Sequence, residues 1–369
     1  MGRTKGGIQV FSGFFLRALM ASLGGGRLRL LCKNDRADSL GGALPNGVGA
    51  VCAGDWPGVT RTVAFVGQIV PAALRDRPDL IICGHMNFAL AAHWVHRWRG
   101  IPYWIIAHGI EAWNLRRPGM REAVRGSQRI LAVSRFTRDR LVEQLDLPPD
   151  RLSLLPNTFD EGGLTPGPKP EYLLRRYGIS ARQPVILTVA RLSSPERYKG
   201  YDKIIEAMPS ILERVPQVHY LLVGKGDDRG RVERRVRDMG LEDHVSLAGF
   251  VPESELCDHY NLCDVFAMPS KGEGFGIVFL EALACGKPVV AGNLDGSRDA
   301  LCDGELGALI DPDDVGQIAK TLAEILLGEY RHALIHRPQA LRDAVVAKYG
   351  YARFEAQLRE HLGQLNAHG

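Results

Sequence analysis

The sequence predicts an α/β protein built from two doubly wound domains. Short apolar runs alternate with helix-spaced segments along almost the whole chain, the pattern of parallel sheets flanked by helices. Leu155–Pro170 interrupts that pattern with four prolines and three glycines and reads as a domain boundary. At 369 residues the chain is long enough for two separate cores.

In the first half, strands are expected at Leu28–Cys32, Thr62–Val66, Leu80–Cys83, Tyr103–Ala107 and Ile130–Val133, each a short run rich in apolar residues. Helical spacing predicts Gln9–Leu23, Phe88–Trp98 and Phe136–Gln144. After the boundary, strands are expected at Val185–Val189, His219–Val223, Val245–Leu247, Val265–Met268 and Pro288–Ala291. Helices are expected at Lys203–Arg214, Arg229–Asp238, Ser254–Tyr260 and Val315–Leu327. In such sheets ligands sit beyond the carboxyl ends of the strands, so the loops there are where chemistry belongs.

Composition narrows the function class. Hydrophobic content of 45% and charged content of 24% suit a globular enzyme, and no uninterrupted apolar run is long enough to span a bilayer. The seven cysteines are scattered and form no C-x-x-C pair, which fits a reducing cytoplasm. Cys83, His85, His93 and His96 match no zinc-ligand spacing. Net charge is +4, yet ten arginines fall between His93 and Arg140 against Glu111, Glu122 and Asp139. Such a stretch is either a solvated helix surface or a face that attracts an anionic membrane or acidic substrate. It lacks the interleaved aromatics of a nucleic-acid module, so no nucleic-acid partner is expected.

Pro269–Asp299 is the most informative segment. It sets Glu273 and Glu281 eight positions apart, with Gly272-Glu273-Gly274-Phe275-Gly276 following the run Val265–Met268 and preceding the helix-spaced Ile277–Ala284. A glycine turn opening a helix offers backbone N–H groups to a phosphate, and a carboxylate further along can hold a ribose diol. The alternative is an ordinary strand-to-helix turn with two surface acids. Three further strand-end loops carry candidates. Arg191, at the end of Val185–Val189, and Lys199, just before the next helix, can converge on a diphosphate, or simply be solvated. Gly224-Lys225-Gly226 lets backbone approach a ligand closely or makes a tight turn. His108 ends the run Tyr103–Ala107, as a donor to phosphate or sugar hydroxyl, a proton handler or a structural histidine. Lys5-Gly6-Gly7 precedes the first helix, either an anion site or a flexible lead-in.

Taken together, GGIQVF, HGIEAW, SRFT, LPNTFD, ARL…YKG, LLVGKGD, AGFVPESEL and EGFGIVFLEALACGKPVVAGNLDGSRDAL resemble the family-four retaining glycosyltransferases with the GT-B fold. The pieces run from Gly6 to about Asp313, and the E-x7-E segment with the upstream R…K loop is the specific part. The resemblance implies two Rossmann-like domains facing across a cleft: residues 1–161 for the acceptor, 162–349 for the nucleotide sugar, and 350–369 as a helix returning to the first domain. It also implies that Arg191 and Lys199 hold the diphosphate, Glu281 the ribose, and Glu273 the donor sugar. The backbone of Gly274, Phe275 and Gly276 would lie beside that sugar, Phe250 and Val251 against the base, and Gly224 is counted among the substrate-binding residues. His108 would touch sugar or phosphate, and Gly7 would approach the diphosphate.

Two departures stand out. Met1 lies five residues before the glycine pair, where the family has a full first strand, and the R…K loop carries the additional residues Ser193 to Tyr198.

The implied reaction moves a hexose from a nucleoside diphosphate sugar to an acceptor hydroxyl with retention, by same-face attack assisted by the leaving phosphate. The expected acceptor is a glycan or a lipid-linked molecule, in cell-surface polysaccharide or glycolipid assembly. The implied site uses neither metal nor cofactor; Asp311-Pro312-Asp313 fits the D-x-D spacing but falls in an expected exposed turn. The expected location is cytoplasmic, with peripheral contact at the inner membrane face through residues 97–140. The competing reading is a nucleotide-sugar hydrolase or epimerase, or a non-catalytic nucleotide-sugar-binding subunit.

Overall fold

Parallel strands flanked by helices make up both units of the chain in its computed structural model, which describes residues 6–23, 28–36 and 48–364. One unit comprises Met1–Asn157 with Ala352–Gly369, the other Thr158–Tyr351.

In the first unit the elements run α1 (Gly7–Leu23), β1 (Arg29–Cys32), β2 (Gly49–Cys52), α2 (Gly58–Asp76), β3 (Ile81–Cys83), α3 (Ala89–Arg99), β4 (Tyr103–Ala107), α4 (Pro118–Arg125), β5 (Arg129–Ala132), α5 (Arg135–Leu145) and β6 (Leu152–Leu154). All five residues of β4 are buried, as a central strand covered on both faces requires. Pro118 opens α4, where a missing N–H costs nothing, and Ser134 caps α5 by accepting from the Thr137 N–H. The strands form two parallel sheets, β1-β2 and β3-β4-β5-β6, and among the described residues none precedes α1. Leu31 of β1 and Ile81 of β3 pack on one apolar cluster of Ala53, Phe65, Ile69, Ala73 and Val95.

The expected strand Thr62–Val66 is instead the middle of α2. A β-branched run resembles a strand, but Phe65, Ile69 and Ala73 recur at helical spacing and are the buried residues.

The second unit runs α6 (Glu171–Tyr177), β7 (Val185–Val189), α7 (Tyr201–Arg214), β8 (His219–Val223), α8 (Arg229–Asp238), β9 (Val245–Gly249), α9 (Leu256–Leu262), β10 (Val265–Met268), α10 (Ile277–Ala284), β11 (Val289–Gly292), β12 (Ala308–Ile310), α11 (Val315–Leu326) and α12 (Pro338–Tyr349). The sheet is parallel throughout, in the order β12-β11-β10-β7-β8-β9. Strand order therefore reverses between β7 and β10, and doubly wound sheets open their ligand crevice at that point.

The last helix, α13 (Tyr351–Gly363), packs within the first unit. The Phe354 ring meets Phe11 of α1 edge-on at 5.7 Å, and His361 Nε2 lies 3.0 Å from the Leu154 carbonyl oxygen. Arg129 donates to Gln364 Oε1 at 2.7 Å.

Candidate active site

Two loops leave the sheet at its reversal point. The first, after β7, runs from Ala190 through a 3-10 segment, Ser194–Lys199, to Gly200. The second, after β10, runs from Pro269 to Gly276 and opens α10. An ion pair between Lys199 Nζ and Glu273 Oε1 joins them. Glu196 extends the chain of charges: its Oε1 accepts from Arg191 Nη2 at 2.6 Å, and its Oε2 lies 3.7 Å from Lys199 Nζ. That Oε2 is buried and makes no hydrogen bond. Lys199, Glu273 and Glu196 are 14%, 15% and 12% exposed, whereas Arg191 is 72% exposed. The result is two cations and two carboxylates alternating across the reversal point, with the arginine reaching outward.

Glycine allows the loops to meet. A Cβ on Gly200, whose φ is +79°, would lie 2.1 Å from the Pro269 carbonyl oxygen. One on Gly296 would lie 2.1 Å from the Gly274 carbonyl oxygen. Asp295 then fixes the second loop from beneath. Its buried carboxylate accepts from the Glu273 N–H (2.7 Å), the Ser270 hydroxyl (2.7 Å) and the Ser297 N–H (2.9 Å). Burial raises the Asp295 carboxyl above its ordinary value, opposed by those hydrogen bonds. The Glu273 carbonyl in turn accepts from the Gly296 N–H at 2.9 Å.

The Phe275 side chain is 2% exposed and meets Tyr349 edge-on at 5.4 Å, so that ring belongs to the core. Glu281, on α10, accepts from the Tyr260 hydroxyl at 2.6 Å. Burial raises its carboxyl, and the tyrosine hydrogen bond opposes that shift.

The glycine loop after β8 is laced to the first loop. The Leu192 N–H donates to the Lys225 carbonyl (3.1 Å), the Asp228 N–H to the Leu192 carbonyl (2.9 Å), and the Ser194 N–H to Asp227 Oδ1 (3.1 Å). A Cβ on Gly224 would lie 1.7 Å from the Ala190 carbonyl oxygen, so this glycine serves loop packing. Beyond it, Lys225 Nζ sits 4.9 Å from the centre of the Phe250 ring, which is 57% exposed beside the half-buried Val251. Arg191, Lys199, Gly224, Phe250, Val251, Glu273, Gly274, Gly276 and Glu281 thus all belong to the carboxyl-edge loops of this sheet or to the helix opening from them.

The other two expected site residues lie in the first unit. Gly7 is the first residue of α1, and Lys5, named with it, lies outside the described residues. His108 follows β4, and its ring meets Phe11 of α1 edge-on at 5.0 Å. Its backbone N–H donates to Glu111 Oε1 at 2.6 Å. Its Nε2 lies 2.9 Å from the Gly84 carbonyl, which can only accept, so Nε2 carries the proton. Burial lowers its pKa, keeping the ring neutral at pH 7 and leaving Nδ1 to accept a hydroxyl proton rather than donate to a phosphate.

Sequence reasoning missed Glu196, Asp295 and Tyr260. Only Asp295 carries a local signal, the turn-forming triplet Asp295-Gly296-Ser297.

Comparisons with known proteins now bear on this geometry. Residues 6–162 match the model of glycosyltransferase family 4, and residues 173–340 match that of glycosyl transferases group 1. The chain is 32% identical over 266 residues to a GDP-mannose-dependent alpha-(1-6)-phosphatidylinositol monomannoside mannosyltransferase of Mycobacterium tuberculosis, covering 69% of this chain and 68% of that one. The chain belongs to the family-four glycosyltransferases. The enzyme of the same description from Mycolicibacterium smegmatis is 34% identical over 238 residues, and the match spans 61% of each chain. Among solved structures, Anabaena HepE in complex with UDP-glucose superposes with a TM-score of 0.78 at 21% identity, covering 99% of this chain and 98% of that one. Sucrose-phosphate synthase from Thermosynechococcus elongatus gives a TM-score of 0.80 at 20% identity, covering 99% and 94%. The fold is GT-B, as the sequence resemblance implied.

Proposed function

We propose that the chain transfers a hexosyl group, with retention, from a nucleoside diphosphate sugar to a hydroxyl of a glycan or lipid-linked acceptor in cell-surface assembly. The relatives named above make GDP-mannose the first donor to test and a phosphatidylinositol mannoside the first acceptor. One observation carries the reading: the Lys199–Glu273 pair spans the two loops at the reversal point of the sheet, beside the outward-reaching Arg191.

The chemistry follows from those groups. A departing nucleoside diphosphate gathers negative charge as the sugar becomes cationic at the anomeric carbon, and preformed cations stabilise that charge most where water is scarce. Lys199 and Arg191 supply them. Each is paired with a carboxylate, so an arriving diphosphate competes with Glu273 for Lys199 and with Glu196 for Arg191. Glu273, released from the lysine, accepts hydrogen bonds from sugar hydroxyls. Glu281 accepts from the ribose, and Phe250 with Val251 lies against the base. With Glu273 assigned to the hydroxyls, retention is assigned to same-face attack, the leaving phosphate taking the acceptor proton. His108 is assigned to a sugar hydroxyl and Gly7 to the diphosphate.

We further infer that the chain works at the cytoplasmic face of a membrane through its arginine-rich stretch. Four of those ten arginines have packing roles: Arg121 and Arg125 donate to backbone carbonyls, Arg129 to Gln364, and Arg140 lies over the Trp113 ring. Arg97, Arg99, Arg116 and Arg117 are exposed.

Titration calorimetry with GDP, UDP and their sugars, followed by product analysis with a mannosylated lipid acceptor, tests the assignment. Donor-dependent glycosylation of the acceptor is the expected result. Free sugar as the sole product would indicate a hydrolase, and binding of no nucleotide sugar would overturn the reading.

A further inference from the structure

The outer faces of α2 and α3 in the first unit carry exposed apolar side chains that nothing among the described residues covers. On α2, Phe65, Ile69 and Ala73 face inward, yet the opposite side also carries Val63 (69% exposed), Val66, Val70 and Leu74. On α3, Ala89, Ala92 and Val95 are buried while Leu90, Trp94 (74% exposed) and Trp98 (58% exposed) form an outward stripe at helical spacing. The two helices share the cluster of Phe65, Ile69 and Val95, so the exposed stripes belong to neighbouring elements. Contiguous exposed apolar side chains of this kind mark an interaction surface. Among the described residues no helix is long and apolar enough to cross a membrane, so α2 would lie along a surface rather than span one.

Charge selects the occupant. Arg97 and Arg99 are exposed on α3, and the Arg99 guanidinium lies 4.2 Å from the Trp98 ring centre. Arg116 and Arg117, also exposed, precede α4, and a Cβ built on its Gly119 would lie 3.8 Å from Leu90 Cδ1. Of the acids on or next to these helices, Asp76 is bound to Arg29 at 2.6 Å, Asp55 to Arg36 at 3.2 Å, Glu122 lies 3.7 Å from His93 Nε2, and Asp79 is exposed. A second copy related by two-fold symmetry would set these arginines against themselves, whereas anionic lipid phosphates complement them. Exposed tryptophans flanked by arginines suit the headgroup layer of a bilayer.

We propose that the outer face of α2 and α3 docks in the plane of an anionic membrane, with Trp94 and Trp98 in the headgroup layer and Arg97, Arg99, Arg116 and Arg117 on lipid phosphates. The proposal deepens the membrane-face reading above and does not depend on the identity of the donor or acceptor.

The test is co-sedimentation of the full chain with phosphatidylcholine vesicles containing about one-third phosphatidylglycerol, compared with pure phosphatidylcholine. Trp94→Ala/Trp98→Ala should lower partitioning onto the anionic vesicles by about tenfold or more. Its affinity for nucleotide sugar should match the parent, separating docking from donor binding. Arg97→Gln/Arg99→Gln/Arg116→Gln/Arg117→Gln should remove the preference for anionic vesicles and its salt sensitivity. Unchanged partitioning of the tryptophan variant, equal binding to both vesicle types, or a dimer that the tryptophan variant dissociates would each overturn the proposal, whatever the activity measurements give.

Discussion

The carboxylate of Asp295 accepts a 2.7 Å hydrogen bond from the backbone N–H of Glu273, and so sets the position of a proposed sugar-binding residue from beneath its loop. Asp295→Ala would orphan that N–H and the Ser297 N–H and leave the Ser270 hydroxyl only Ser297 Oγ, 3.1 Å away. Buried donors left unmade cost about 1–3 kcal/mol each, partly relieved by relaxation, so a stability loss of about 3 kcal/mol is expected. Denaturant titration measures it; an unchanged midpoint would show that the loop holds itself. Asp295→Asn, which keeps the shape, should cost less stability yet still slow transfer.

Lys199→Ala and Glu273→Gln should each leave a folded protein and reduce turnover by about a hundredfold or more, the scale for losing one preorganised charged contact. Lys199→Arg should not restore the rate, because a planar fork does not replace a point charge in a site shaped for an ammonium. Steady-state kinetics with circular dichroism on the same samples decides this, and near-normal turnover in either variant would refute the assignment.

How far all this was legible depends on burial. β7, β8 and β10 are covered on both faces and read as continuous apolar runs, so their bounds follow from the sequence alone. β2, β6 and β12 lie at sheet edges, are three or four residues long and have mixed exposure, so nothing periodic announces them. α2 misleads because Thr62–Val66 is locally apolar and rich in β-branched residues, and the helical recurrence of Phe65, Ile69 and Ala73 shows only over a longer window. In the site, Glu273, Glu281, Arg191 and Lys199 stand out by residue type and spacing. Glu196 and Tyr260 do not, because their roles arise from partners that only the tertiary fold supplies.

The Tyr260–Glu281 hydrogen bond predicts a pH effect. Glu281 must be ionised to accept from a ribose, and its raised pKa means that donor affinity falls as pH drops through that elevated value. The Tyr260 hydroxyl pulls the value down, so Tyr260→Phe should push it higher and move the loss of affinity to higher pH. Calorimetric titrations across pH, parent against variant, measure the displacement. A shift toward lower pH would contradict the arrangement.

The thiols should separate by reactivity. Cys285 Sγ lies 3.9 Å from Cys257 Sγ, and its hydrogen bond is the main cause that lowers Cys257 from 9.0 to about 6. Burial instead pushes Cys83 and Cys263 up to about 12. Iodoacetamide at neutral pH should therefore alkylate Cys257 first, with a half-maximal rate near pH 6, and spare Cys83 and Cys263. Peptide mass spectrometry reads the order; equal labelling of all three would dismiss it.

The placement of α13 has a consequence for biosynthesis. Thr158–Tyr351 is one unbroken stretch, whereas the first unit takes its last helix from beyond it. A ribosome therefore delivers everything the second unit needs before it delivers the partner of Phe11. The amino-terminal half, though made earliest, is completed last, and a chain truncated at Tyr351 would hold every residue of the second unit while lacking the last helix of the first.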